Sequence, residues 1–202
     1  MNKSIVSTGS KESTEAAINI LKLGGNAIDA AVSAVFTSMT SEYALTGIGG
    51  GGAIMIKMKH SEPILYDCFV DRPTITSRKK LDFYKTIIDF GDSNQSFYIG
   101  KGSIGVPGNL AGLVKIQNDF GELPLSVVLE PAIYIARNGC RLTKEQSYIF
   151  QILKPIFSSS YEAKKLLYKN NQPFKQGDLF KNIDFATFLE RVISEGIGFF
   201  YR

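Results

Sequence analysis

The run Gly47-Ile48-Gly49-Gly50-Gly51-Gly52 is the first place in this chain to look for chemistry. Glycine lets a backbone pass close to a ligand or to another backbone, and its amides lie open to an oxyanion or a carboxylate. The run formally satisfies G-x-G-x-x-G. A dinucleotide site, however, needs a strand before that motif and a helix after it, so that the pyrophosphate meets the helix N-terminus. Here an alanine-rich helical pattern precedes the glycines and a strand-like stretch follows, with no Gly-Lys-Ser/Thr to make a phosphate loop. Two readings stay open for the glycines: a tight crossover between helix and strand, or one wall of a catalytic cleft. Other reactive residues are scarce. His60 is the single histidine, and Cys68 and Cys140 are the two cysteines, far apart in sequence. They cannot build a disulfide framework or a zinc cluster, and any Ser-His, Cys-His or His-metal chemistry would run through one imidazole. No metal and no cofactor is expected.

Composition excludes further classes. With 202 residues, 44% hydrophobic and 21% charged, the chain suits one domain or somewhat more, neither disordered nor a membrane bundle. Its formal charge is +4, but the densest basic run, Arg78-Lys79-Lys80, is three residues long and lacks interleaved aromatics. That reads as solvated surface, not a nucleic-acid footprint. Met1 to Ser7 shows no apolar signal region, and the most apolar segment, 27–39, is interrupted by Asp29, Ser33 and Thr37. A soluble cytoplasmic protein with reduced cysteines, and no membrane partner, is therefore expected.

The elements that must position the glycines are legible on either side. Ala16, Ala17, Ile20 and Leu21 mark one face of a helix over 11–23, which Gly24-Gly25 stops. A second helix opens at Asn26, an N-cap residue, with Ile28, Ala31, Val32, Val35, Phe36 and Met39 as its buried face. Asp29, Ser33 and Thr37 form the opposing polar stripe, with Asp29 placed to stabilise the first turn. After the glycines, 53–59 and 64–70 pair as a hairpin around His60-Ser61-Glu62-Pro63. Residues 82–105 mix strand-like pieces with a polar loop. Beyond them Pro107-Gly108 opens a helix to Asn118, and Pro131 sits in the first turn of another ending at Asn138-Gly139. Thr143 and Gln146 make a capping box before a helix over 147–157, and 161–168 and 185–195 are two further amphipathic stretches. The outline is α+β: a helix pair and hairpin, then a helical arm. Phe83, Phe90, Phe97, Phe199, Phe200 and Tyr201 read as core or interface.

With these pieces in order, the chain resembles the start of the gamma-glutamyltranspeptidase large subunit. The resemblance rests on Gly24-Gly25-Asn26-Ala27-Ile28-Asp29-Ala30-Ala31, the glycine run, Gly105-Val106-Pro107-Gly108, Ala111-Gly112-Leu113 and Phe120-Gly121-Glu122-Leu123-Pro124. Pro131-Ala132-Ile133 and Gly198-Phe199-Phe200-Tyr201 continue it in collinear order. It implies the N-terminal portion of an N-terminal-nucleophile (Ntn) hydrolase αββα sandwich, as a partial large-subunit domain over 1–202. Residues 1–105 would hold the helix pair and sheet, and 106–202 the mainly helical part. It also implies a precursor that cuts itself, after which a new N-terminal threonine serves as nucleophile and its own α-amine as base. The acyl group of a gamma-glutamyl or related amide passes to that threonine, then to water or an amine.

Two departures follow from the same resemblance. The family threonine lies in a Thr-Thr-His-x-Ser type sequence, and this chain has no Thr-Thr pair. The expectation is a truncated product, half of a split gene, or a deliberately shortened piece, whose small-subunit segment or partner chain lies elsewhere. A degenerate fragment or a non-catalytic partner-binding subunit is the alternative. Second, where family members carry Asp-x-Arg-Glu-x-Ala-Pro, with the arginine clamping the substrate carboxylate, this chain reads Asp67-Cys68-Phe69-Val70-Asp71-Arg72-Pro73. Phe69 takes the arginine's place and suggests an apolar wall for a less polar acyl group. Arg72 either substitutes for it or is a surface charge. The candidate substrate-binding residues are thus Phe69, Arg72, Gly49, Gly50 and Gly51, and no catalytic residue is assigned.

Overall fold

A computed structural model describes residues 4–74 and 81–202; the basic run at 78–80 lies outside the described residues. In chain order the principal elements are α1 (Lys11–Lys22), α2 (Ala27–Ser41), β1 (Ala53–Ile56), β2 (Ile64–Asp67), β3 (Tyr84–Asp89), β4 (Asn94–Ile99), α3 (Asn109–Phe120) and α4 (Leu125–Asn138). They are followed by α5 (Lys144–Ile152), α6 (Lys154–Phe157), α7 (Tyr161–Leu167), α8 (Ile183–Glu195) and α9 (Gly198–Tyr201). The fold is mixed helix and sheet, as the patterning implies. It divides into two compact units, one of Met1–Val70, Pro107–Cys140 and Lys181–Arg202, the other of Asp71–Val106 and Arg141–Phe180. No helix among the described residues is long and apolar enough to cross a membrane.

The first unit is built around α2, which packs against α1, α3 and α4, while α8 packs on α4. Its core joins Val32, Phe36 and Met39 of α2 to Leu110, Leu113 and Ile116 of α3, Val128, Leu129 and Ala132 of α4, and Leu189 of α8. A second cluster sets Ala17 and Ile20 of α1 against Ala30 and Ala34 of α2, where small side chains let the helices close up. α2 starts at Asn26 as the sequence indicates, where Asp29 completes a reciprocal capping box, and Ser10 caps α1.

The polar stripe of α2 departs from expectation. Asp29, Ser33, Thr37, Thr40 and Ser41 are all buried, whereas Ala31, expected on the buried face, is exposed. The hydroxyls of Thr37 and Ser41 bond back to the carbonyls of Ser33 and Thr37, and Ser41 Oγ also meets Ser10 Oγ at 2.8 Å.

Pro131 is likewise not in a first turn. α4 begins six residues earlier, after Pro124 in an extended N-cap conformation, and Pro131 lies inside it. An interior proline costs about 3 kcal/mol. Val128, Leu129, Ala132 and Ala136 are completely buried on the same helix, and each large apolar side chain buried contributes about 1.5–3 kcal/mol. Packing wins.

β1 and β2 form the expected hairpin, pairing Ala53 with Asp67 and Ile56 with Ile64, and Gly52 and Cys68 extend the ladder by one reciprocal pair. The strands are shorter than the apolar runs, since Lys57 to His60 turn away. Tyr66 Oη donates to Asp119 Oδ2 at 2.8 Å, which ties β2 to α3. In the second unit β3 and β4 form a six-residue antiparallel hairpin closed at Gly91, a regular structure in place of loose strand-like pieces. The stretch read as one helix over 147–157 is two: the Thr143–Gln146 capping box starts α5, and Pro155 falls in the first turn of α6. Phe150, fully buried, gathers Phe157, Phe174 and Phe180 at ring separations of 5.5, 6.2 and 6.0 Å. Of the aromatics read as core, Phe83 is exposed and stacks on Tyr98, whereas Phe199, Phe200 and Tyr201 pack against the first unit's core.

Candidate functional site

After α2 the chain reaches Gly47, where Gly50 N–H donates to Gly47 O at 3.1 Å and closes a tight turn. Asn109, the first residue of α3, grips that turn from behind. Its Nδ2 donates to Gly47 O at 3.3 Å and its backbone N–H to Gly50 O at 3.4 Å. The next glycine is needed for steric reasons: a Cβ on Gly51 would stand 2.6 Å from Val70 N and 2.7 Å from Phe69 Cα. A Cβ on Gly112 of α3 would collide with Cys68 Sγ, so α3 lies directly on the end of the hairpin. Gly49 is different. It has open space around it and no left-handed φ, so nothing within the described chain requires a glycine there. The order of elements, helix before the run and strand after, also disposes of the dinucleotide motif.

A pocket of about 400 Å³ opens on this turn, with Gly47, Gly49 and Gly50 on one side and Tyr43, Asn182 and Asp184 on others. Asn182 caps α8 by accepting from Phe185 N–H at 3.1 Å and donates its own N–H to Ala136 O at 2.9 Å. That double attachment places Asp184 in the first turn of α8. The carboxylate of Asp184 has no ion pair or hydrogen bond among the described residues, and neither do the amides of Ile48 and Gly49. Burial pushes the Tyr43 phenol up from its ordinary pKa, so it is a neutral hydrogen-bonding group at neutral pH. The pocket thus offers free backbone donors to an anionic oxygen and a free carboxylate to a positive group.

The supporting frame is held by two polar devices. Asp29 accepts from Gln117 Nε2 at 2.6 Å, Asn26 N–H at 2.8 Å, and the N–H groups of Glu122 and Leu123 at 3.1 Å. Burial by itself raises the pKa of that carboxyl, but the Gln117 amide and the three backbone donors outweigh burial and hold it below the usual carboxylate value. Tyr201 Oη donates to Pro107 O at 2.8 Å and accepts from Ala111 N–H at 3.2 Å. It thereby caps the start of α3, where Asn109 sits and where Gly108 offers no side chain.

The sequence-derived candidates are distributed as follows. Gly49 and Gly50 line the pocket, and Gly51 backs onto the Phe69 main chain. The Phe69 side chain is 69% exposed, with its N–H donating to Asp67 Oδ1 at 3.0 Å. Arg72 belongs to the second unit, exposed beside the bridge between Asp71 and Val106. Tyr43, Asn109, Asn182 and Asp184 carry no motif and were not legible as site residues; Asn109, directly after Pro107-Gly108 at a helix start, had the only local signal. The cysteines are structural: burial, then the Asp67 charge, raises the Cys68 thiol, and burial pushes Cys140 up to about 11. Neither offers a thiolate at neutral pH.

The chain is similar to known proteins over nearly its whole length. The family model for Gamma-glutamyltranspeptidase matches residues 13–202. The capsule biosynthesis protein CapD proenzyme of Bacillus anthracis is 30% identical over 197 residues, 98% of this chain and 33% of that protein. Glutathione hydrolase 2 of Arabidopsis thaliana is 31% identical over 187 residues, 91% of this chain and 30% of that one. The crystal structure of Helicobacter pylori gamma-glutamyltranspeptidase matches with a TM-score of 0.82 at 26% identity, covering 100% of this chain and 58% of that chain. The chain therefore spans about a third of the length of these curated relatives.

Proposed function

The chain belongs to the gamma-glutamyltranspeptidase family, and from that premise we propose that it supplies scaffold and pocket lining for acyl transfer from a gamma-glutamyl or related amide. The attacking threonine hydroxyl comes from outside these 202 residues, in a small-subunit segment or partner chain. The observation that carries this reading is the Gly47–Gly50 turn, clamped by Asn109, whose Ile48 and Gly49 amides and whose pocket neighbour Asp184 have no partner among the described residues. Free amides suit the carbonyl oxygen or carboxylate of the acyl group, and Asp184 suits an ammonium on it. Phe69, in the place of the family's arginine, gives the neighbouring wall an apolar character, and Arg72 supplies a carboxylate partner only if the chain brings it there. The outward pair Met55 and Leu65 of the hairpin, 70% and 61% exposed, favours a further layer covering that face in the complete assembly.

Incubating the purified chain alone with a gamma-glutamyl anilide tests the reading. The expected result is no sustained anilide release. Release that persists over many turnovers and scales with protein concentration would show that the nucleophile is present here after all.

A further inference from the structure

In the second unit α6, α7 and the short hairpin of 168–173 surround an open cleft of about 730 Å³. Lys154, Lys164 and Lys165 stand on its walls with Tyr168, Asn170 and Asn171. None of these three ammonium groups has an ion-pair partner among the described residues, although the adjacent Lys169 pairs with Asp178 at 2.6 Å. Glu162, the acidic residue of α7, is not part of the walls. The Tyr168 hydroxyl is buried and has no hydrogen-bond partner among the described residues. Asn170 and Asn171 both hold left-handed backbone, φ 52° and 59°, in the two-residue turn, so two carboxamides sit together at the cleft.

Two features of this site are unfavourable as it stands. Like charges gathered without a counter-ion repel one another, and a buried hydroxyl without a partner has lost its water for nothing. A ligand carrying several negative charges and acceptor oxygens removes both penalties together. The volume is that of a small-molecule site, and an ammonium acts as a point charge that takes phosphate or carboxylate alike. We propose that the cleft binds a small multivalent anion, neutralised by Lys154, Lys164 and Lys165 and hydrogen-bonded by Tyr168 and the two asparagines. This site is independent of the glycine turn and of the acyl-transfer reading.

Calorimetric titration of the 202-residue chain at low ionic strength, with sodium pyrophosphate and separately with citrate, tests it. Saturable binding is expected, weakened at least about tenfold in the double variant Lys164→Gln/Lys165→Gln. The double variant Lys85→Gln/Lys101→Gln removes the same charge from elsewhere in the unit and should leave affinity within about twofold. Tyr168→Phe should weaken binding without lowering the melting temperature, since it deletes an unsatisfied group. Binding of pyrophosphate alone assigns the ligand as a phosphate, and of citrate alone as a carboxylate; either supports the proposal. Absence of saturable binding by both anions, or equal losses in the two double variants, overturns it.

Discussion

The two units solve the burial problem in opposite ways. In the first, aliphatic and alanine-rich helices bury most of α2, and hydrogen bonds answer its buried Thr37, Ser41 and, most completely, Asp29. In the second, a few aromatic rings gather around Phe150 between short elements, and three lysines stand without counter-ions among the described residues. The contrast matters for function. A turn whose amides must be aimed needs a frame that cannot shift, and α2, α3 and α8 provide one through Asn109, Asn182 and Tyr201. The second unit carries concentrated charge on small elements, which suits recognition by electrostatics more than by exact shape.

The largest expected effect tests the aromatic half of this contrast. Phe150→Ala empties the centre of four rings and should cost about 4 kcal/mol, within the usual range for a buried phenylalanine. Hydrogen exchange should show the loss of protection at β3, α5 and α7; an equal loss in α2 and α4 would break the comparison by making the two units one cooperative body. Next in size is Asp29→Asn, which leaves N–H donors facing an amide and should cost about 3 kcal/mol in the first unit. Its pH dependence has a definite sign. Because the folded-state pKa of Asp29 lies below the unfolded value near 4, its contribution is present above about pH 4 and is lost as pH falls through the depressed value. Denaturant melts from pH 6 downward should show the wild type losing stability over that acid range more steeply than Asp29→Asn. Parallel curves would remove Asp29 from the account.

What the sequence revealed and concealed follows from range. The N-cap at Asn26, the capping box at Thr143 and Gln146, and the hairpin after the glycines rest on residues within a few positions of one another, and all three appear. Asp29 was legible as a helix-start residue, but its partners at 117, 122 and 123 lie some ninety positions on and leave no local trace. The same holds for Ser33 and Thr37, polar in pattern yet buried by tertiary packing. Pro131 misled because local backbone preference opposes α4 while nonlocal burial supports it. At the site, the glycines announced themselves by type, whereas Tyr43 and Asp184 meet only because α8 returns to the end of α2.

The most direct measurement is a ¹H–¹⁵N NMR titration of the 202-residue chain with a gamma-glutamyl anilide. The account predicts chemical-shift changes concentrated at the amides of Ile48 to Gly51 and at Asn109, with the anilide intact. It also predicts loss of those changes in Gly49→Ala at an unchanged melting temperature, since that position has room for a methyl group. Shifts confined to other parts of the chain, or a Gly49→Ala protein that responds like the wild type, would contradict it.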